Sequence, residues 1–233
     1  MELISAILKE EALLADMDSL MDDPGLHGWW LGQSGFLETV PTDDTYALHL
    51  REHYLFLQHK YQLQPITVSQ WKFLRLRPAH FPTLRLAQLA AILQKNEGLF
   101  SKIIAAPDLK SLKSLLKNKP SVYWDTHYMI RKSTKASTHQ TGEQFLNTLL
   151  INTVIPAIFV YGRIQAQAHL EDKALNYLTA LPAEKNSIIS DWAALGWKAA
   201  DAHQSQALLQ LRKHYCDAKR CLECAIGAQL LKG

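Results

Sequence analysis

Cysteine is scarce in this sequence, with three among 233 residues. A small, odd number of cysteines excludes the disulfide framework of a small secreted protein and favours a reducing compartment. The first residues carry acidic charges and no basic segment ahead of an apolar one, so we expect no secretory signal peptide. We therefore predict a cytoplasmic protein.

Long uninterrupted apolar runs are also missing. The longest apolar stretch, FLNTLLINTVIPAIFVYG, is broken by Asn147, Asn152, Thr153 and Pro156. Polar side chains at this density are unfavourable in the hydrocarbon core of a bilayer, so we predict no membrane span and no membrane partner. Because proline removes a backbone donor from the interior of a helix, we expect a kink at Pro156.

The short motifs of familiar catalytic sites are absent from the sequence. It has no G-x-S-x-G nucleophile turn, no Walker loop, no H-E-x-x-H metal motif and no glycine fingerprint of a dinucleotide-binding fold. Asp125 and His127 are two residues apart, and such a pair projects to different sides of a helix. We predict no catalytic residues in this chain, and an enzymatic role would need a partner domain or a bound metal.

Apolar residues recur at helical spacing almost throughout, and no clear segment alternates with the period of two that marks a half-buried strand. We predict an all-α protein, an irregular bundle of about nine or ten helices without a significant sheet. Apolar residues within 3–17 predict a first helix, and Thr42 is expected to be the N-cap of a later one. Ser205 and Gln206 are expected to be surface or first-turn residues.

The domain organisation depends on one polar segment, RKSTKASTHQTG, residues 131–142. Its composition is typical of an exposed loop or of a weak domain boundary. The chain is therefore either a single helical domain, 1–233, or two subdomains, 1–130 and 143–233, joined by this segment.

Charge is strongly segregated along the chain. Residues 71–135 contain thirteen Lys or Arg and three Asp or Glu, a net charge of +10, whereas residues 1–70 contain three basic and eleven acidic residues. Such asymmetry indicates either a polyanionic partner or pairing of the two segments within the protein.

The stretch WKFLRLRPAHFPTLR places basic and aromatic residues side by side. Pro82 suits the first position of a helix, and a helix N-terminus binds anions through its free amides. Arginine contacts phosphate through two N–H groups at once. We therefore predict a phosphate-binding or nucleic-acid-binding site that comprises Lys72, Arg75, Arg77, His80 and Arg85.

Aromatic rings between these charges allow two interpretations. The rings are Trp71, Phe73 and Phe81, and Trp124 follows later in the same basic segment, 71–135. They resemble surfaces that stack bases of a single strand on aromatic side chains. In the alternative, the arginines pair with acidic residues of 1–70, and the rings anchor the loop in the core.

All three cysteines lie in YCDAKRCLECAIG, with the spacing C-x4-C-x2-C. Thiolates bind zinc or iron–sulfur clusters, and C-x2-C spacing lets two sulfurs reach one ion. The predicted metal ligands are Cys216, Cys221, Cys224 and His214, with the distant His203 as another source of the fourth ligand. Alternatively, Cys221 and Cys224 face the core as small apolar side chains, or they form a redox pair.

Five blocks of sequence occur in an order that resembles an uncharacterised bacterial family, domain of unknown function 2851. The blocks are WKFLRLRPAHFPTLRLAQLA, LINTVIPAIFVYG, LPAEKNSIISDW, SQALLQLRKHYC and KRCLECAIG. The resemblance extends from near residue 25 to the C-terminus and implies no activity. It implies that longer members carry a further N-terminal half that resembles a restriction-endonuclease core, so this chain is expected to correspond to their C-terminal helical region.

These patterns favour a helical accessory domain that binds nucleic acid or another phosphate-bearing partner through residues 71–135. One alternative is a structural or protein-interaction domain that acts with a partner domain or as a homodimer. The other is the non-catalytic part of a nuclease-like enzyme.

Overall fold

The computed structural model describes residues 23–231 of the chain. It divides into two compact units. The first contains the residues up to Ala105 together with Lys110–Gly142, and the second contains Ala106–Leu109 together with the residues from Glu143 onward. Eleven α-helices and one two-stranded sheet lie within the described residues, which confirms the predicted all-α class.

The first unit contains three long or medium helices, two short ones and a small hairpin. The helices are α1 (Asp23–Gln33), α2 (Thr45–Tyr61), α3 (Pro82–Lys95), α4 (Leu99–Ala105) and α5 (Leu109–Leu116). Strands β1 (His127–Met129) and β2 (Lys132–Ser133) pair antiparallel. Short 3-10 turns at Val68–Gln70, Pro78–His80 and Val122–Asp125 lie between these elements.

The core of the first unit forms where α1 packs against α2 and α3. Trp29 and Trp30 of α1, Leu50 of α2 and Leu84 of α3 are buried there. Trp124 joins this core with 0% of its surface exposed, so the prediction that its ring belongs to a binding surface is wrong. A tryptophan contributes a large apolar area, which favours burial over display.

Two glycines allow α1 to approach α2 closely. A Cβ atom at Gly32 would lie 2.0 Å from Cγ of Tyr54, and one at Gly28 would lie 2.9 Å from the backbone oxygen of Leu50. Gly28 and Gly32 are four residues apart and therefore share one face of α1. The Tyr54 hydroxyl fills the adjacent space and donates a hydrogen bond of 3.0 Å to Oε1 of Gln33.

The second unit is built from the remaining helices. These are α6 (Glu143–Leu149), α7 (Ile155–Ile164), α8 (Ala168–Ala180), α9 (Ser187–Ala194), α10 (Ala202–Leu211) and α11 (Ala225–Leu231). Helix α7 packs closely on α8, because a Cβ atom at Gly162 would lie 2.8 Å from Cβ of Leu170. A bridge between Pro182 and Asp201 joins the segment after α8 to the start of α10.

The irregularity expected at Pro156 takes the form of a π-helical turn. Residues Leu150–Val154 form this turn between α6 and α7, and the amide of Ile155 donates to the oxygen of Leu150 instead of to the residue four back. Pro156 is then in the first turn of α7, where its missing amide costs little. The chain therefore accommodates Pro156 through the wider π-helical turn Leu150–Val154 that precedes it.

One helical segment among the described residues, Glu143–Ile164, is long enough and apolar enough to cross a membrane, judged by length and composition alone. It has 22 residues, a mean hydropathy of 1.6 and 39% of its most apolar window buried inside the protein. Core helices of soluble proteins pass the same test of length and composition, so these values are weak evidence for a membrane span. The absence of a membrane span and the cytoplasmic location stay predictions.

Three local expectations need correction or fall outside the structure. Helix α2 begins at Thr45, and its N-cap is Asp44, whose Oδ1 accepts from the amide of Ala47 at 2.9 Å, so Thr42 is not the cap. Ser205 lies in the first turn of α10, one of the two positions expected for it, but 0% of its surface is exposed, so it is not a surface residue. The helix predicted within residues 3–17 lies outside the described part of the chain.

The polar segment 131–142 is mostly exposed, but two of its residues are buried in the first unit. His139 is buried, and its backbone oxygen accepts from Nε2 of Gln88 at 2.8 Å. Thr141 is also buried, and its amide donates to the oxygen of Asn118 at 2.9 Å. These bonds attach the end of the segment to α3 and to the chain just after α5.

Candidate functional site

The basic loop, residues 71–81, is anchored by aromatic packing. Phe36 lies 5.4 Å from Trp71 and 5.9 Å from Phe73, measured between ring centroids, and Phe73 lies 5.1 Å from Phe81 in an edge-to-face arrangement. The indole N–H of Trp71 donates to the backbone oxygen of Ser34 at 2.9 Å. The rings are half-buried, and their mutual contacts favour the interpretation that they anchor the loop.

Three cations of this loop face the solvent. The side chains of Lys72, Arg75 and Arg77 are exposed, and none of them has a carboxylate partner within residues 23–231. Leu74 lies between them with 86% of its surface exposed. The loop therefore displays positive charge together with an apolar side chain.

The backbone of Arg75 has an unusual conformation. Its φ angle is +65°, in the left-handed region that residues with a Cβ atom rarely adopt. The neighbouring Arg77 has an extended backbone and precedes the 3-10 turn Pro78–His80. The turn at Arg75 allows both arginine side chains to remain exposed in a loop whose rings point inward.

His80 and Arg85 are predicted members of the site that bond to each other. Nη2 of Arg85 lies 3.0 Å from Nδ1 of His80, and Nη1 donates to Oε1 of Gln88 at 2.7 Å. Because a guanidinium group can only donate, Nδ1 of His80 is the acceptor in this contact. Burial lowers the pKa of Arg85 from its usual value. Part of the Arg85 side chain thus serves to hold the loop against α3.

The N-terminus of α3 does not provide the open anion site that the sequence predicted. The helix begins at Pro82, as predicted, but no side chain caps it. Thr83 and Leu84 in its first turn each have 1% of their surface exposed, and the amide of Arg85 donates to the oxygen of Phe81. The amides of this turn are therefore closed off from solvent, and the prediction that they point outward is wrong.

A cavity of about 320 Å³ adjoins this helix end and the loop. It is lined by Phe73, Thr83 and Arg131, among others. Arg131 donates from its guanidinium group to the backbone oxygen of Thr39, and the carboxylate of Glu38 lines the same space. Because the lining carries both signs of charge, this cavity lacks the uniformly positive surface that suits a phosphate group.

A cluster that sequence reasoning missed surrounds Tyr123 in the first unit. Its ring is stacked between Tyr46, 4.3 Å away, and His127, 3.9 Å away, measured between ring centroids. Its hydroxyl donates to Oδ2 of Asp44 at 2.7 Å. Burial, and next the hydrogen bond to Asp44, raise the pKa of Tyr123 well above its usual value. No short sequence motif marks the cluster, because Asp44 and Tyr123 are 79 residues apart.

The three cysteines line one apolar cavity of about 150 Å³ in the second unit. Cys216 ends a π-helical turn, Arg212–Cys216, and Cys221 begins a 3-10 turn, Cys221–Glu223; both are exposed, whereas Cys224 is buried. His214 is exposed in the same π-helical turn. No group of three or more His, Cys, Asp or Glu residues is placed to hold one metal ion in the part of the chain that the structure describes. The interpretation as core residues fits Cys224 and not Cys221.

One protein-family model matches most of this chain. The family is described as "Protein of unknown function (DUF2851)", and the match covers residues 18–187. The chain belongs to this family. No curated protein and no solved structure matches the sequence.

The matched residues include the basic loop and the Tyr123 cluster, and they end before the cysteines. The family match is thus shorter than the resemblance expected from the sequence, which extended to the C-terminus. The family description names no activity, so any function must be argued from the residues themselves.

Proposed function

We propose that this chain binds nucleic acid through the basic loop, residues 71–81. The observation that carries the proposal is the exposure of Lys72, Arg75 and Arg77 without carboxylate partners among the described residues. Cations that remain hydrated and unpaired bind a polyanion by releasing its counterions.

The charge of the wider segment supports this proposal. Residues 71–135 carry a net charge of +10. An ion pair in this segment joins Lys119 to Asp125 at 2.7 Å, and both groups belong to the segment itself. A surface pair of this kind leaves the net charge unchanged, so the segment keeps a positive potential that attracts a polyanion.

The aromatic packing favours contacts to the phosphate backbone over stacking on bases. Trp71, Phe73 and Phe81 use their faces and edges on one another and on Phe36. Phosphate contacts carry no sequence information. We therefore expect affinity that depends on salt and little on sequence, in a cytoplasmic protein that acts alone or beside a partner domain.

Fluorescence anisotropy with a labelled twenty-nucleotide single strand and a matching duplex tests the proposal. Arg75→Gln together with Arg77→Gln should weaken binding and reduce the slope of log K against log salt by about 1.4 for the single strand, since each phosphate contact contributes about 0.7. The matched control replaces two exposed lysines of the second unit, Lys198→Gln with Lys213→Gln.

Equal losses in the two double variants would show that only net charge matters and would contradict the assignment to the loop. If the wild-type protein does not bind either nucleic acid at low salt, or if its affinity does not change with salt, the proposal is wrong. Anionic phosphatidylserine vesicles form a further arm of the experiment, because the exposed Leu74 beside cations also suits a lipid surface. Preference for vesicles over both nucleic acids would overturn the nucleic-acid assignment.

A further inference from the structure

We infer that a cavity in the second unit binds a small molecule that carries a protonated amino group. The cavity has a volume of about 470 Å³ and lies between α6 and the segment that connects α8 to α9. Ligand-binding pockets have volumes of roughly 300 to 1,000 Å³. The site is independent of the basic loop, which belongs to the first unit.

The lining divides into an apolar part and a polar part. Ile151 from the π-helical turn and Pro182 with Ala183 from the connecting segment supply apolar surface. Asn147 of α6 and Glu184 of the connecting segment supply polar groups. A mixed lining of this kind suits an organic ligand with a short apolar chain and a polar head.

The carboxylate of Glu184 is held in position by the protein. Oε1 accepts from Nδ2 of Asn152 at 3.2 Å, and Oε2 accepts from the side-chain amide of Gln206. The backbone amide of Glu184 donates to the buried hydroxyl of Ser205 at 3.1 Å. Because three neighbours fix both the backbone and the side chain, a ligand would meet a preformed carboxylate.

The lining of this cavity carries two carboxylates, Glu143 and Glu184, and one cation, Lys185, so its net charge is negative. Glu184 forms no ion pair with any Lys, Arg or His among residues 23–231. The amides of Asn152 and Gln206 donate hydrogen bonds but carry no charge. An ammonium group would therefore gain a charge-assisted hydrogen bond, the stronger kind of polar contact.

Asn147 supplies a second polar group to the cavity. Its Oδ1 atom is buried and has no hydrogen-bond partner in the part of the chain that the structure describes. Buried polar atoms of native proteins are usually paired. An N–H group of a ligand would supply the donor after a small rotation of this side chain, so both Glu184 and Asn147 select a ligand that donates hydrogen bonds.

Two probes that differ only by the amino group test the inference directly. L-leucinamide carries the ammonium group, and 4-methylpentanamide has the same carbon skeleton and amide without it. In amide-resolved NMR titrations of the full chain, L-leucinamide should shift the signals of Asn147 and Glu184 and should bind about tenfold or more tightly than 4-methylpentanamide. Equal binding of the two probes, or no shift at these residues at millimolar concentration, would overturn the inference.

Variants give an independent readout. Glu184→Gln should weaken L-leucinamide binding by about tenfold, whereas Asp172→Asn, which removes an exposed charge of α8 outside the cavity, should leave binding unchanged. Ala183→Leu, which fills the cavity and leaves Glu184 intact, should abolish the shifts even if Glu184→Gln fails to fold. Undiminished binding in Ala183→Leu would refute the location of the site.

Discussion

A single tyrosine joins two features of the first unit. The hydroxyl of Tyr123 donates to Oδ2 of Asp44, and Oδ1 of the same carboxylate caps α2 by accepting from the amide of Ala47. The stacked rings of Tyr46 and His127 hold the phenol in place. A hydrogen bond to a carboxylate contributes about 1.5–3 kcal/mol to stability. Loss of the phenolic hydroxyl should therefore destabilise the first unit.

Tyr123→Phe should lower the free energy of unfolding at pH 7 by about 1.5–3 kcal/mol. The same variant should also change the alkaline behaviour. The pKa of Tyr123 is raised in the folded protein, whereas an unfolded tyrosine titrates near pH 10. Above this pH the unfolded chain loses the phenolic proton and the folded chain keeps it, so stability that is present below pH 10 is lost as the pH rises. Urea unfolding from pH 7 to 11 measures both effects.

Tyr215→Phe is the control for this experiment. Its ring is partly exposed and no hydrogen bond of its hydroxyl is found among the described side chains, so its removal should leave the stability at pH 7 unchanged. If Tyr123→Phe shows the same alkaline loss as the wild-type protein, the raised pKa contributes nothing to the pH dependence of folding.

At the scale of elements, the contact between α1 and α2 depends on the absence of side chains. Gly28 and Gly32 let the two helices approach, and the ring of Tyr54 occupies the space beside Gly32. Glycine inside a helix costs about 0.5–1 kcal/mol relative to alanine. The close packing of Trp29 and Trp30 in the same core compensates for this cost.

Gly32→Ala should therefore destabilise the protein by about 1–3 kcal/mol or more, although alanine has the higher helix propensity. A methyl group at 2.0 Å from the Tyr54 ring forces the helices apart or the ring out of its position. Gly142→Ala is the control, because nothing lies within 4 Å of its added methyl group. Thermal unfolding measures the melting temperatures of both variants. Equal melting temperatures would show that α1 and α2 accommodate the methyl group without loss of stability.

Some elements could be predicted from sequence because their causes are local. Pro82 at the first position of α3 is fixed by the chemistry of proline alone, and the irregularity near Pro156 follows from its missing amide. The sequence does not distinguish three candidate caps, Thr42, Asp43 and Asp44, because all of them precede the same helix. Asp44 is the N-cap in the structure, and its carboxylate also accepts a hydrogen bond from the distant Tyr123.

Other features could not be predicted because their causes are distant in sequence. Strands β1 and β2 have three and two residues, too few for a period of two to appear. Burial of Ser205 depends on its bond to Glu184, 21 residues earlier. Four of the predicted phosphate ligands, Lys72, Arg75, Arg77 and His80, lie in the basic loop, so their exposure follows from local sequence. The closure of the α3 N-terminus instead depends on packing around Thr83 and Leu84.

At the scale of the whole molecule, two compact units raise the question of how many cooperative transitions unfolding has. We propose that the units unfold separately, as the two-subdomain prediction implies. Four of the six tryptophans belong to the first unit, and the buried thiol of Cys224 belongs to the second. Tryptophan fluorescence therefore reports mainly on the first unit, with a smaller contribution from Trp192 and Trp197 of the second, whereas the Cys224 thiol reports on the second unit alone.

Gly32→Ala should shift the tryptophan fluorescence transition to lower urea concentration and leave the exposure of the Cys224 thiol at its original midpoint. Thiol exposure is measured by reaction with Ellman's reagent in a Cys216→Ser, Cys221→Ser background, because those two thiols are exposed in the folded protein. Transitions that move together in both probes would instead show a single cooperative domain.

The left-handed backbone of Arg75 has a consequence for the history of the family. An L-residue in that conformation costs about 1–2 kcal/mol, more than the backbone entropy that glycine would lose there, about 0.5–1 kcal/mol. Selection for folding stability alone should thus favour glycine at this position wherever the guanidinium group has no function. An arginine or lysine at this turn in other members of the family would indicate that the positive charge is under selection, and a glycine would indicate that it is not.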